Sequence, residues 1–143
     1  MFFRNDYFFL SNFYPASISW AGHHFPSAEH LYQALKCTDP AEMLLIRTAG
    51  SPGQAKRLGS KVISIRSDWD TVRVDVMRDV VWEKFRQNPT LARRLKALVG
   101  VEIVEENTWG DTFWGVCRGQ GLNTLGLILT DIRERLASGR GLD

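Results

Sequence analysis

The sequence predicts a helix-rich α+β fold with a few short strands, folded as a single domain over residues 1–143. Three observations lead there. Val72, Val76 and Val80 recur at fourfold spacing, joined by Met77, Val81 and Phe85, which is the apolar stripe of one long amphipathic helix. Helix starts marked by a capping side chain occur at Ser27, Asp39-Pro40 and Ser51-Pro52. The β-branched runs are short and irregularly spaced, unlike the strand–helix alternation of a doubly wound sheet.

In chain order, Ile18 and Trp20 lead through an Ala21-Gly22 turn to His24 and Phe25, the pattern of a short hairpin. Ser27 is the expected N-cap of a helix over 28–36. Asp39-Pro40-Ala41-Glu42 supplies a capping acid, a proline at the first helical position and a glutamate at the third. Ser51-Pro52 opens a further helix that Gly59 is expected to close, and 62–65 is β-branched enough for a strand. The long helix should cover 68–86. Asn88-Pro89 restarts a helix ended by Gly100, and 101–104 reads as another strand. Residues 105–121 are loop-rich, Asn123 caps a last helix through Leu136, and 138–143 reads as a frayed tail.

Bulk properties narrow the class. At 143 residues, with 44% hydrophobic and 24% charged residues, the chain can bury roughly 70% of its unfolded surface without a disulfide or metal. No repeat or linker divides it. Apolar runs fall well short of the ~18–20 residues that cross a bilayer, and the N-terminus lacks a basic-then-apolar leader, so no membrane association and a cytoplasmic location are expected. Cys37 and Cys117 lack CxxC spacing and read as reduced thiols. His23, His24 and His30 do not form a ligand pattern, and the glycines at 119, 121 and 126 do not follow dinucleotide grammar; neither a metal nor a cofactor is expected. A net charge of +2 suits a small anionic ligand better than an extended nucleic-acid surface. Nothing in the sequence specifies an oligomeric state.

Four groups of residues look chemical. Glu29, Gln33 and Lys36 fall at i, i+4 and i+7 of the helix after Ser27, with Tyr32 beside them; Glu29 and Lys36 would stand about 10 Å apart along the axis and could flank a ligand. The same spacing fits an ordinary solvated face. In Asn107-Thr108-Trp109-Gly110-Asp111-Thr112-Phe113-Trp114-Gly115, Trp109 and Trp114 can stack on a heterocycle and Asp111 can bond ribose hydroxyls; equally, the tryptophans could be core and Asp111 a turn former. Ser11 and Asn12, with Phe13 beside them, can orient a ligand or close a turn. Trp69 with Arg73 one turn later, at the head of the long helix, suits a heterocycle and a phosphate, or local packing.

Taken together and in order, the run from Phe9 to Pro15, the run Phe25-Pro26-Ser27-Ala28-Glu29-His30-Leu31-Tyr32-Gln33-Ala34-Leu35-Lys36 and the Asn107 to Val116 loop resemble the NADAR family, also called YbiA-like N-glycosidases. The likeness extends from about Tyr7 to Leu136 and includes Asp68-Trp69, Val76-Met77 and Lys84-Phe85. It implies cleavage of a C–N bond between ribose and a nitrogenous base, either in early riboflavin-pathway intermediates or in ADP-ribosylated guanine, free or in modified nucleic acid. It also places family active-site positions on Glu29, Lys36, Trp69, Trp109, Asp111 and Trp114.

Such cleavage builds positive charge on the sugar and negative charge on the departing nitrogen. Glu29 is the candidate acid or base and Asp111 the candidate support for the ribose cation. Lys36, on the family's suggestion, could attack the opened sugar to form a Schiff base. The competing reading is a non-catalytic module binding ADP-ribose or another nucleotide through Trp69, Trp109, Trp114 and Arg73; a second is a structural protein with a tryptophan core.

Overall fold

The structure, a computed structural model, describes residues Met1–Gly139. Its helices and few short strands make the helix-rich α+β arrangement expected. Two compact units can be distinguished, one formed by Asn12–Asn88 and the other by Met1–Ser11 with the residues from Pro89 onward.

The Asn12–Asn88 unit opens with an antiparallel hairpin, β1 (Pro15–Trp20) and β2 (His23–Ser27), in the register Ile18↔Phe25, Ser19↔His24 and Trp20↔His23. Both turn residues, Ala21 (φ 50) and Gly22 (φ 81), lie at positive φ, the type I′ geometry that matches strand twist. Ile18 and Phe25 point inward and are buried. Ser27 then ends the strand and caps α1 (Ala28–Ala34), accepting from the His30 N–H at 3.1 Å.

α1 is buried on every side, packed against the hairpin, α2 (Pro40–Arg47), α3 (Pro52–Gly59) and α4 (Trp69–Gln87). A solvated Glu29/Gln33 face is therefore ruled out, and the helix stops at Ala34 rather than residue 36. Asp39 caps α2 through Ala41 as expected, at 2.9 Å. Glu42, however, reaches away from its own helix and accepts from the N–H groups of Ile63 (3.0 Å) and Ser64 (2.9 Å). This explains why 62–65 forms no strand: a side chain takes the ladder donors, Ile63 stands 93% exposed, and only Ile65 pairs, in a single bridge with Cys37.

Gly59 does not close α3 by a left-handed turn; it is the last helical residue, and Ser60 is the C-cap. The apolar stripe of α4 reaches the core only in its second half, through Met77, Val80, Val81, Trp82 and Phe85, while Val72 and Val76 are half-buried. Lys84 shares that buried face at 1% exposure, with its Nζ 5.9 Å from the Tyr14 ring centre.

In the other unit, a 3₁₀ turn (Asn5–Leu10) is held by Arg94 of α5 (Pro89–Lys96), whose guanidinium lies 4.1 Å over Phe9 and donates to the Asp6 carbonyl. α5 packs on α6 (Thr124–Ser138) and stops before Gly100. The strand expected at 101–104 does not form, because side chains satisfy its backbone: Arg133 donates to the Leu98 and Val101 carbonyls, Asn123 Nδ2 to that of Ile103, and the Glu105 N–H donates to Asn123 Oδ1. Pairing comes later, between β3 (Glu106–Asn107) and β4 (Val116–Cys117), which run parallel. Asn123 precedes α6 in a left-handed conformation (φ 55) with no side-chain cap bond, since its amide is committed to Ile103 and Glu105. Ser138 is helical and Gly139 (φ 74) is the left-handed C-cap; the remainder of the expected tail lies outside the described residues. Among those described, no helix is long and apolar enough to cross a membrane.

Candidate active site

The Ser27 cap fixes where α1 begins, and with it where Glu29 sits. The Glu29 N–H donates to the Asn12 carbonyl at 3.0 Å, and Asn12 Nδ2 points to Met77 Sδ at 3.3 Å. Asn12 is thus a brace, its backbone carbonyl holding the first turn of α1 and its side-chain amide the middle of α4. One helical turn on, Gln33 Nε2 donates to Glu29 Oε1 at 2.9 Å, and both side chains are only 7% exposed. Burial raises the Glu29 carboxyl above its ordinary range; the Gln33 hydrogen bond and the charges of Lys56 and Lys36 partly oppose that rise.

Lys36 lies past the end of α1, where the chain turns so that its half-buried ammonium faces the Gly59 carbonyl at 3.4 Å and the Trp69 ring at 5.8 Å. Burial lowers the Lys36 amine, opposed by the negative charge of Glu29. Trp69 in turn lies 5.2 Å from the Tyr32 ring, tilted by 52°. Within this unit the fold therefore assembles Glu29, Gln33, Lys36 and Trp69, with Tyr32 as a fifth member. Such a cluster offers an acid shifted toward its protonated form, a lysine shifted toward the neutral amine and an aromatic surface.

Lys56 was not a sequence candidate. It reads as a surface lysine on a short helix, and only the packing of α3 on α1 brings its charge to bear on Glu29. Arg73 follows Trp69 by one turn of α4 and is partly buried. Asp68 is engaged by a two-pronged Arg66 contact (2.7 and 3.0 Å), which together with Leu35, Cys37, Thr38 and Ser67 lines a cavity of about 520 Å³.

The aromatic loop belongs to the other unit. Asn107 holds it at Asp111, donating to the Asp111 carbonyl at 2.8 Å and accepting from the Asp111 N–H at 3.0 Å. Asp111 Oδ1 accepts from the N–H groups of Phe113 and Trp114, at 3.1 and 2.9 Å. Asp111 is thus the turn former as well as a candidate for chemistry. Trp114 stands edge-on to Phe113 with ring centres 4.8 Å apart, whereas Trp109 is 64% exposed and cannot be a core residue. Gly115 admits the Glu105 carboxylate, which any Cβ there would overlap. Ser11 closes the 3₁₀ turn through its N–H to the Phe8 carbonyl, and Phe13 is 37% exposed.

A short helix with its buried acid, a lysine just beyond it, and a glycine-flanked tryptophan loop define the class. The chain belongs to the NADAR domain family, whose model matches residues 1–137. It is 36% identical to the N-glycosidase YbiA of Escherichia coli (strain K12) over 135 residues, covering 93% of this chain and 84% of that protein. The NMR structure of the E. coli protein YbiA superposes with a TM-score of 0.85 at 35% identity, covering 94% of this chain and 81% of that one. A 44% identity over 130 residues links it to the riboflavin biosynthesis protein VVA0006 of Vibrio vulnificus (strain YJ016), of which this chain spans 35% of the length.

Proposed function

We propose that this chain is an N-glycosidase that hydrolyses the C–N bond between a ribose, carried as ribose phosphate or ADP-ribose, and a nitrogenous base. The observation that carries the reading is the pairing of Glu29 with Lys36: burial biases the first toward its neutral acid and the second toward its neutral amine. Family membership and the 36% identity to proteins named N-glycosidase support a hydrolase acting on N-glycosyl compounds. The name of the Vibrio relative, a riboflavin biosynthesis protein, supports a ribosylaminopyrimidine phosphate as the first substrate to test, ahead of ADP-ribosylated guanine.

In this mechanism Glu29 donates its proton to the departing nitrogen as the C–N bond breaks, and its carboxylate then accepts a proton from the attacking water. On the family resemblance, Asp111 is a candidate to support positive charge on a sugar, and Trp109 and Trp114 are candidate aromatic surfaces for a substrate. Lys36 as a neutral amine attacks the aldehyde of the opened sugar and forms an imine with loss of water, and a second water hydrolyses that imine to release the sugar and restore the amine. Trp69 gives the base a stacking surface, Arg73 is the candidate phosphate partner, and Ser11 and Phe13 are candidate substrate contacts.

The test is mass-spectrometric detection of free base from both substrates. Glu29→Gln should lower turnover by about 10²–10⁴-fold, and Lys36→Ala should abolish the sugar adduct trapped by borohydride. Full activity in both variants would remove the mechanism. Heat of ligand binding without any released base would instead favour a nucleotide-binding module.

A further inference from the structure

Gln33 is more deeply engaged than a substrate contact would be. Its Nε2 donates to Glu29 Oε1 at 2.9 Å, while its Oε1 is buried with no hydrogen-bond partner among the described residues. A buried amide oxygen left without a donor is costly. Behind it stands Gly59, at the last turn of α3, where a Cβ would lie 2.0 Å from Gln33 Oε1 and 2.6 Å from Cδ. The glycine is required for contact with the amide, not for backbone conformation, since its φ is not in the left-handed region. Lys36 shares the same α3 end through the Gly59 carbonyl.

A hydrolytic acid must exist in two forms, and one amide orientation suits only one of them. A carboxylate accepts from N–H; a carboxylic acid has an O–H to donate and needs an acceptor. A carboxamide presents either group to the same neighbour by a half-turn about its last torsion, which has a broad, roughly two-fold profile.

We propose that Gln33 is the positioning residue that accompanies Glu29 through both protonation states by turning its carboxamide over, in the space that Gly59 leaves for it. With Glu29 neutral, its O–H donates to Gln33 Oε1 and the orphan acceptor is satisfied. When the proton leaves with the departing nitrogen, the amide turns and Nε2 donates to the carboxylate, as in the present structure. The proton regained from water returns the pair to its starting form, so each cycle consumes one water and leaves Gln33 unchanged. This rests on Glu29 being the acid.

Other charged groups set the background. Lys56 from α3 and Lys36 beyond α1 act on Glu29. On α2, Glu42 is taken up by the Ile63 and Ser64 N–H groups; on the hairpin, His24 is bonded to Ser17; on α4, Lys84 is buried against Tyr14.

The test is a ¹⁵N NMR titration of the Gln33 side-chain amide in the whole protein, assigned through its backbone, alongside pH–rate profiles. The Gln33 NH₂ pair should shift with a single midpoint and lose that response in Glu29→Gln. In Gln33→Met, the limb of kcat/KM on which Glu29 loses its proton should move to higher pH by about one unit, because of the two bonds lost the charge-assisted one to the carboxylate is the stronger. Gly59→Ala should move it the same way by displacing the amide. An amide pair that stays still while Glu29 titrates overturns the proposal, and so does a Gln33→Met enzyme that is slower at every pH with its limb unmoved. The amide titration needs no variant to fold and no turnover, so its failure is distinct from full activity in Glu29→Gln, which would instead remove Glu29 as the acid.

Discussion

Replacing Lys84 by methionine should remove a rise in this protein's stability between about pH 7 and pH 10.5. The Lys84 side chain is 1% exposed, and burial lowers its ammonium from 10.5 to about 7. In the folded state the charged form is the disfavoured one, so the penalty is largest where the unfolded chain would hold the proton. At roughly 1.4 kcal/mol per unit, the gap costs folding about 5 kcal/mol below pH 7, shrinks as pH rises from 7 toward 10.5, and vanishes above it. Methionine keeps the length of the aliphatic stem but takes up no proton, so its contribution does not change with pH. Relative to Lys84→Met, the parent should therefore gain about 3 kcal/mol between pH 7 and pH 9.5, as the penalty falls from about 4 to about 1 kcal/mol. Urea unfolding followed by tryptophan fluorescence across that range measures both curves. A stability difference that does not change with pH, or one that moves in the variant's favour as pH rises from 7 to 9.5, would refute the reasoning.

Cys37, which burial raises to about 11 from 9.0, should alkylate about 100-fold more slowly at pH 8 than a thiol at the ordinary value, because the thiolate is the reactive form; mass spectrometry of iodoacetamide-treated protein would give the rate. Asn123→Ala should destabilise by about 2–4 kcal/mol, since it removes two side-chain bonds to backbone and leaves a Cβ at positive φ. Asn123→Gly, which relieves only the second cost, should lose about 1 kcal/mol less; equal losses in denaturant melts would show that the left-handed conformation is unstrained.

Capping chemistry was legible along the chain. Ser27, Asp39 and Ser51 each accept from the N–H that a local reading assigns them, because cap, turn and helix start all lie within three residues of one another. The Ala21-Gly22 turn and the length of α4 were legible for the same reason. The two expected strands failed because β-branched composition says nothing about who else wants the backbone. Glu42, twenty-one residues upstream, takes the Ile63 N–H, and Arg133 and Asn123 take the groups between Leu98 and Glu105. Lys84, in an apolar stripe but charged, gave no sign of its burial.

The sequence by itself determined the helix-rich class, the N-termini of its helices and the candidates for proton transfer, since local hydrogen bonding and side-chain chemistry travel with the residues. Tertiary structure decided what those residues are. Glu29 is raised because α1 is enclosed on all sides; Lys36 turns to Gly59 because its helix ends at Ala34; and Gln33 lies against α3 because the residue opposite has no Cβ. Burial and close approach depend on segments distant along the chain meeting in space, and it is burial that moves these groups away from the titration of surface charges.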